Sequence, residues 1–200
     1  MSQFTIDYPS GATPLDSNEL DGLIPDYITT QGELNTLERE NILEAASWIS
    51  GRPHSDVLNA TFAFDLHRRM FGPVWKWAGT QRTSNKSIGV FKEQISEELA
   101  MLFGNVKYWV ANKTFTWDEI GVRFHHGLVS IHIFANGNGR HARIMTDALL
   151  VSNGQEPFSW GMKRSEEALE VAGALRREYI SALKRADQGD YRELSRFVRS

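Results

Sequence analysis

His132-Ile133-Phe134-Ala135-Asn136-Gly137-Asn138-Gly139-Arg140-His141-Ala142-Arg143 is the stretch on which the reading of this chain turns. Before it, Thr116 and Glu119 form a capping box, Phe115 is placed as a staple, and Ile120, Phe124, Leu128 and Ile131 recur at helical spacing up to His132. After it, residues 140–152 read as another helix, stopped by Asn153-Gly154. The segment between is therefore predicted to be a glycine-rich turn joining two helices. Gly137 and Gly139 let backbone amides approach an anion closely, and the turn empties into a helix N-terminus that favours negative charge. Arg140 and Arg143 share one face of that first helical turn. Cations there oppose the helix dipole, so helix propensity does not explain them, whereas a bound polyphosphate does. His132, with an ordinary pKa near ~6.5, stands where it can take a proton from whatever the turn holds. A Gly-Asn-Gly turn, a solvated arginine and a packed histidine are each commonplace. Together they point to a phosphate-handling site.

The remaining chain reads as further helices with short punctuation. Thr30 with Glu33 is a capping box that opens a helix carrying Leu34, Leu37, Ile42, Ala45 and Trp48, ended by Gly51 and Pro53. A helix is predicted from about Asp56, with Leu58, Phe62, Leu66 and Met70 inward, closed by Gly72-Pro73. Residues 79–90 break the helical period, and Asn85-Lys86 between Thr80, Arg82, Thr83 and Ile88, Val90 predicts a short hairpin. Helices follow over about 96–112, 165–186 and 191–199, the last opened by Asp190 with Glu193. Pro9, Gly11, Pro14, Gly22 and Pro25 make residues 1–29 an irregular arm. The expected class is mainly α with one small β-hairpin, in one domain over residues 30–200.

Composition narrows the function. With 22 basic and 25 acidic side chains the formal charge is −3, which gives no general reason to expect nucleic acid or an anionic membrane as partner. The chain has no cysteine, which excludes disulfides and thiolate metal sites. No secretory signal or apolar run of spanning length is evident, so a cytoplasmic location is expected. His125, His126 and His132 invite a metal reading, but adjacent helical residues point about 100° apart, which argues against a shared ion. Trp75 and Trp77 read most simply as core.

The quoted stretch resembles the signature of the Fic family, His-x-Phe-x-Asp/Glu-Gly-Asn-Gly-Arg-x-x-Arg, at every specified position but one. Leu66-His67-Arg68-Arg69-Met70-Phe71-Gly72 and Trp75-Lys76-Trp77-Ala78-Gly79-Thr80-Gln81-Arg82 look like the family's lead-in, and the chain is most similar to the mobile mystery protein B group of bacterial, mobile-element members. The resemblance implies an adenylyltransferase that moves AMP from ATP to a Ser, Thr or Tyr hydroxyl of an unknown protein target, with self-modification and a homodimer both compatible. His132 would be the general base, Phe134 an anchor, and Asn138 with the Gly137, Asn138, Gly139 and Arg140 backbone the anion hole. Arg140 would bind the triphosphate and Arg143 the γ-phosphate. The departure is Asn136, where the family holds Mg²⁺ or Mn²⁺ with a carboxylate, while an amide offers only its carbonyl oxygen.

The family's inhibitory pattern is similar to Thr36-Leu37-Glu38-Arg39-Glu40-Asn41, which assigns Thr36, Glu40 and Asn41 to an inhibitory helix at about 31–50, with Glu40 on Arg143. The hairpin would be the family's target-docking flap, through Ser87, Ile88, Gly89 and Val90. Tyr179 would help enclose the adenine. The alternatives are a catalytically weakened nucleotide-binding regulatory module, a Fic-fold phosphotransferase, and removal of AMP rather than its transfer.

Overall fold

The computed structural model describes residues 13–50, 56–163 and 173–200. A short helical turn, α1 (Ser17–Leu20), precedes α2 (Gln31–Ser50), α3 (Ala60–Phe71), α4 (Ile95–Asn112), α5 (Trp117–Ile131), α6 (Asn138–Ser152), α7 (Ala174–Ala186) and α8 (Arg192–Val198). Both capping boxes form. The Thr30 amide donates to the Glu33 carboxylate at 3.0 Å, and the Glu119 amide donates to the Thr116 hydroxyl at 3.3 Å. Helix α3 starts later than its apolar pattern predicts, because Asn59 rather than Asp56 caps it, accepting from the Phe62 amide at 2.8 Å. The expected helix over 165–186 is described from Ala174, the stretch before it lying outside the described residues.

Helices α5 and α6 form the centre. Their facing stripes, Ile120, Phe124, Leu128 and Ile131 against Ala142, Met145 and Leu149, join one core with Leu66, Met70 and Phe71 of α3 and Ile95, Leu99 and Val106 of α4. A fully buried Leu, Ile or Phe contributes about 1.5–3 kcal/mol, so this shared core is what holds the α5–α6 junction still. A second cluster lies on the other side, where Val122 and Leu150 meet Phe158, Leu175, Leu194 and Phe197.

Two expectations are corrected. Residues 80–90 form no hairpin; among the described residues there is no strand ladder, only an isolated antiparallel bridge between Leu23 and Trp75. The side chains Ser84, Lys86 and Ser87 favour strand weakly, and the loop closes through side-chain bonds instead. Arg82 donates to the carbonyls of Ser84 and Val90, Lys92 Nζ donates to Thr83 O at 2.9 Å, and the Lys92 amide donates to Asn85 Oδ1 at 2.8 Å. The arm is not wholly irregular either. Its described part is tied down by α1, by the Ile24 amide donating to Val74 O at 2.8 Å, and by Trp77 Nε1 donating to Glu19 O at 3.0 Å.

Candidate active site

His132 is the C-cap of α5 and adopts a left-handed conformation, φ 56° and ψ 63°. That conformation is costly for a residue with a β-carbon, so the surroundings must hold it. They do so through Arg82, itself buried, whose Nε donates to His132 O at 2.6 Å while its amide donates to Ile133 O at 3.0 Å. His132 is 5% exposed, and neither ring nitrogen makes a hydrogen bond of ordinary geometry, although a weaker one to the Val129 backbone works against the lowering of its pKa. Burial, then the charges of Arg82 and Lys86, push its pKa down to about 4. The ordinary value expected from sequence is thus corrected. The ring is neutral at pH 7 by a wide margin and free to accept a proton.

The turn after His132 is held from behind. Phe134 is fully buried and stacks on His67 with ring centroids 3.6 Å apart. The Gly79 amide donates to His67 Nδ1 at 2.9 Å, so Nε2 carries the proton and donates to Asn136 O at 3.1 Å. Gly137 has φ 78°, and a β-carbon there would come within 2.5 Å of the Phe71 ring. Asn138 braces the turn with both ends of its amide, Oδ1 accepting from the Phe134 amide at 2.9 Å and Nδ2 donating to Phe134 O at 2.8 Å. Its expected place in an anion hole therefore narrows to its backbone, because the side chain is already committed. The first intrahelical bond of α6 runs from the His141 amide to Gly137 O, leaving the amides of Asn138, Gly139 and Arg140 ahead of it without an intrahelical acceptor. Beside them, a β-carbon on Gly139 would meet nothing nearer than the Tyr179 hydroxyl at 3.9 Å.

These parts face one cavity of about 640 Å³, whose wall includes His132, Asn136, Gly137, Asn138, Gly139, Arg140, Arg143 and Tyr179. That volume suits a small-molecule ligand. Ile88, Gly89 and Val90 line it too, while Ser87 is exposed and does not. Gly89 approaches His132 so closely that a β-carbon would lie 2.5 Å from His132 Cβ, and its φ is 95°.

The acid that faces the turn differs from the expected one. Glu38 is 5% exposed; its Oε2 accepts from Arg140 Nη1 at 2.5 Å and its Oε1 from Trp75 Nε1 at 2.7 Å. Arg140 also lies 4.7 Å over the Phe71 ring. Glu40 and Thr36 are exposed, the Thr36 hydroxyl donating to Gly32 O at 2.9 Å, and only Asn41 of the expected inhibitory set is buried. The reason is helical register. Leu34, Glu38, Asn41 and Ala45 form the buried stripe of α2, and two residues of helix turn Glu40 roughly 200° away from Glu38. That stripe was available in the sequence as the spacing from Leu34 to Ala45. Trp75 does more than fill the core, since its indole orients Glu38.

Asn136 does not make a divalent-cation site by itself. Its Oδ1 accepts from the Gly137 amide at 2.6 Å and from Arg140 Nη2 at 3.5 Å, which fixes Nδ2 as the outward donor. A cation at that oxygen would meet a guanidinium, and the nearby carboxylate of Glu38 is already paired. Among the described residues no group of three His, Cys, Asp or Glu side chains could hold a metal ion. The neighbouring histidines diverge, His125 Nε2 lying 2.8 Å from the Tyr179 hydroxyl and His126 Nε2 2.8 Å from Asp187 Oδ1. No helix among the described residues is long and apolar enough to cross a membrane.

A sequence profile of the Fic/DOC family matches residues 57–150. Protein adenylyltransferase Fic from Aedes aegypti is 26% identical over 148 residues, covering 72% of this chain and 28% of the relative. Protein adenylyltransferase fic-1 from Caenorhabditis briggsae is 29% identical over 205 residues, covering 86% of this chain and 38% of the relative. The chain thus spans about a quarter to two-fifths of the length of such relatives. Among solved structures, the BepC protein of Bartonella tribocorum, a VirB-translocated effector with bound AMPPNP, superposes with a TM-score of 0.69 at 16% identity, over 92% of this chain and 97% of that one. At that identity the likeness speaks to the fold.

Proposed function

We propose that this chain, whose residues 57–150 match the Fic/DOC family, is an adenylyltransferase, moving AMP from ATP to a hydroxyl of a protein. The observation that carries the reading is one juxtaposition. A neutral His132 and the leading amides of α6 wall the same cavity, with open space beside Gly139. In the reaction, the target oxygen attacks the α-phosphorus and its proton passes to the His132 imidazole. The bond from that phosphorus to the bridging oxygen breaks, and pyrophosphate leaves. The amides of Asn138, Gly139 and Arg140, together with the Arg140 and Arg143 guanidiniums, stabilise the charge that develops on the phosphates. No step is assigned to a protein-bound metal, since Asn136 is committed elsewhere.

The same reading makes Glu38 the brake. Its carboxylate holds the Arg140 guanidinium that should take phosphate oxygens, so nucleotide and Glu38 compete for one cation. Incubating the chain with ATP labelled at the α- or the γ-phosphate tests the transfer. Protein-bound α-label without γ-label is expected; retained γ-label would refute AMP transfer in favour of the phosphotransferase reading.

A further inference from the structure

The arm before α2 reaches into the candidate site. Thr13 and Leu15 wall the same cavity as His132, Ile88 and Gly89, and both are buried. Thr13 O accepts from Asn136 Nδ2 at 3.4 Å, which ties the arm to the glycine-rich turn. Three residues further on it is tied to the loop over 80–90. Lys86 Nζ lies 2.9 Å from Asp16 Oδ2 and 2.5 Å from Glu19 Oε2, and the Ser84 hydroxyl donates to Glu19 Oε1 at 3.2 Å. The Lys86 side chain is 3% exposed and that of Glu19 12%. This is therefore not a solvated surface pair of negligible value; removing one partner leaves a charge in a poorly hydrated place. His132, on the same cavity wall as Thr13 and Leu15, is 5% exposed, and the Lys86 charge acts on its ring.

We propose that residues 13–19 are the resident occupant of the cleft in which a target segment docks, and that Lys86 selects such a segment by its acidic residues. The occupant defines the partner chemistry: an apolar side chain taking the place of Leu15, an acid directly after it, and a second acid three residues later. Asn136 belongs to the same device. Its amide donates to the arm's carbonyl, which an aspartate at that position cannot do. A target must displace the arm before its hydroxyl reaches His132, so access to the base is controlled separately from access of nucleotide to Arg140. The proposal rests on the adenylyltransferase reading only in naming the incoming segment as a target; binding in the cleft requires no transfer.

The test uses the whole chain and a fluorescent peptide of residues 13–20, followed by anisotropy without nucleotide. In the wild type the tethered arm competes at an effective concentration of millimolar order. The Asp16→Asn, Glu19→Gln chain, its own arm weakened, should bind the peptide at least about tenfold more tightly than wild type. Adding Lys86→Met to that chain should abolish binding and Lys86→Arg should retain it, and a peptide with Asn and Gln for the two acids should not bind. Equal binding by wild type and the Asp16→Asn, Glu19→Gln chain would overturn the proposal, as would binding indifferent to the peptide's acids. If Lys86→Met melts at a lower temperature, the uncharged peptide on the folded double variant decides the same point. A failure of α-label transfer leaves these outcomes untouched.

Discussion

Glu38 and Arg140 meet at 2.5 Å across 102 residues of sequence, with the second oxygen of Glu38 held by the Trp75 indole. The pair is partly shielded, the Glu38 side chain being 7% exposed and that of Arg140 20%. Under the proposed function, it holds a resident carboxylate on the cation that an incoming phosphate would need. The pairing also shows that the acid on α2 best placed to restrain the site is not the one its sequence motif indicates.

Glu38→Gln should therefore raise ATP-dependent self-labelling, because the amide keeps the Trp75 contact and gives up the charge on Arg140. It should also cost about 1–3 kcal/mol of stability for the lost charged hydrogen bond. Glu40→Gly should change labelling little. Label incorporation by the two variants, each checked by thermal melting, decides between them. Activation by Glu40→Gly alone would return the brake to the exposed face of α2.

For the base, a pKa pushed down to about 4 puts the acid limb of the rate profile far below the usual histidine range. A general base works when deprotonated, so the transfer rate should be level from pH 6 to 8 and fall only as pH drops toward 4. His132→Ala should lower the rate roughly 10²- to 10⁴-fold with ATP affinity little changed. A limb centred near pH 6.5 would show that the imidazole hydrates when substrate binds.

Stability should fall in acid. Burial lowers the pKa of His125 to about 3, of His132 and His141 to about 4, and that of His67 well below its usual value. Each unfolded histidine takes a proton below pH ~6.5 and the folded one does not. The stability they contribute is therefore complete above ~6.5 and is lost as pH falls toward the folded values. Asp147 opposes them. Burial raises its pKa to about 6, so its carboxyl favours the folded state below its unfolded value of 3.8, an advantage lost as pH rises through 6. Four histidines outweigh one carboxyl, and the melting temperature should decline steadily between pH 6.5 and 4. A flat profile over that window would contradict the buried neutral rings.

Asn138→Ala should damage the turn rather than only its chemistry. Two hydrogen bonds to the Phe134 backbone are lost, leaving a buried amide and carbonyl unsatisfied, at about 1–3 kcal/mol each. Melting temperature and nucleotide affinity should fall together. Gly137→Ala should do the same, since its β-carbon strikes Phe71 from a strained φ. A variant with unchanged melting temperature and lost turnover would instead assign Asn138 a direct role.

Most of the fold was legible in the sequence because helical signals are local. Thr30 with Glu33, Thr116 with Glu119, and the apolar stripes around them specify α2 and α5 within a few residues, and Gly137 and Gly139 mark the turn between α5 and α6. The path of residues 80–90 is not legible locally, because an Asn-Lys turn between short polar flanks looks the same whether a ladder or an arginine takes up its carbonyls. Arg82 settles that from across the loop.

That a histidine, two glycines and two arginines lie at one helix junction is written in the local sequence, since twelve consecutive residues leave little room for another arrangement. Tertiary structure alone brings Glu38 to Arg140, commits the Asn138 side chain to the Phe134 backbone, holds His132 far from its ordinary pKa, and sets the arm on the wall of the same cavity. Those outcomes depend on register between elements distant in the chain and on how completely packing excludes water. A local pattern carries neither, because a residue's partners and its dielectric surroundings exist only once the core has closed.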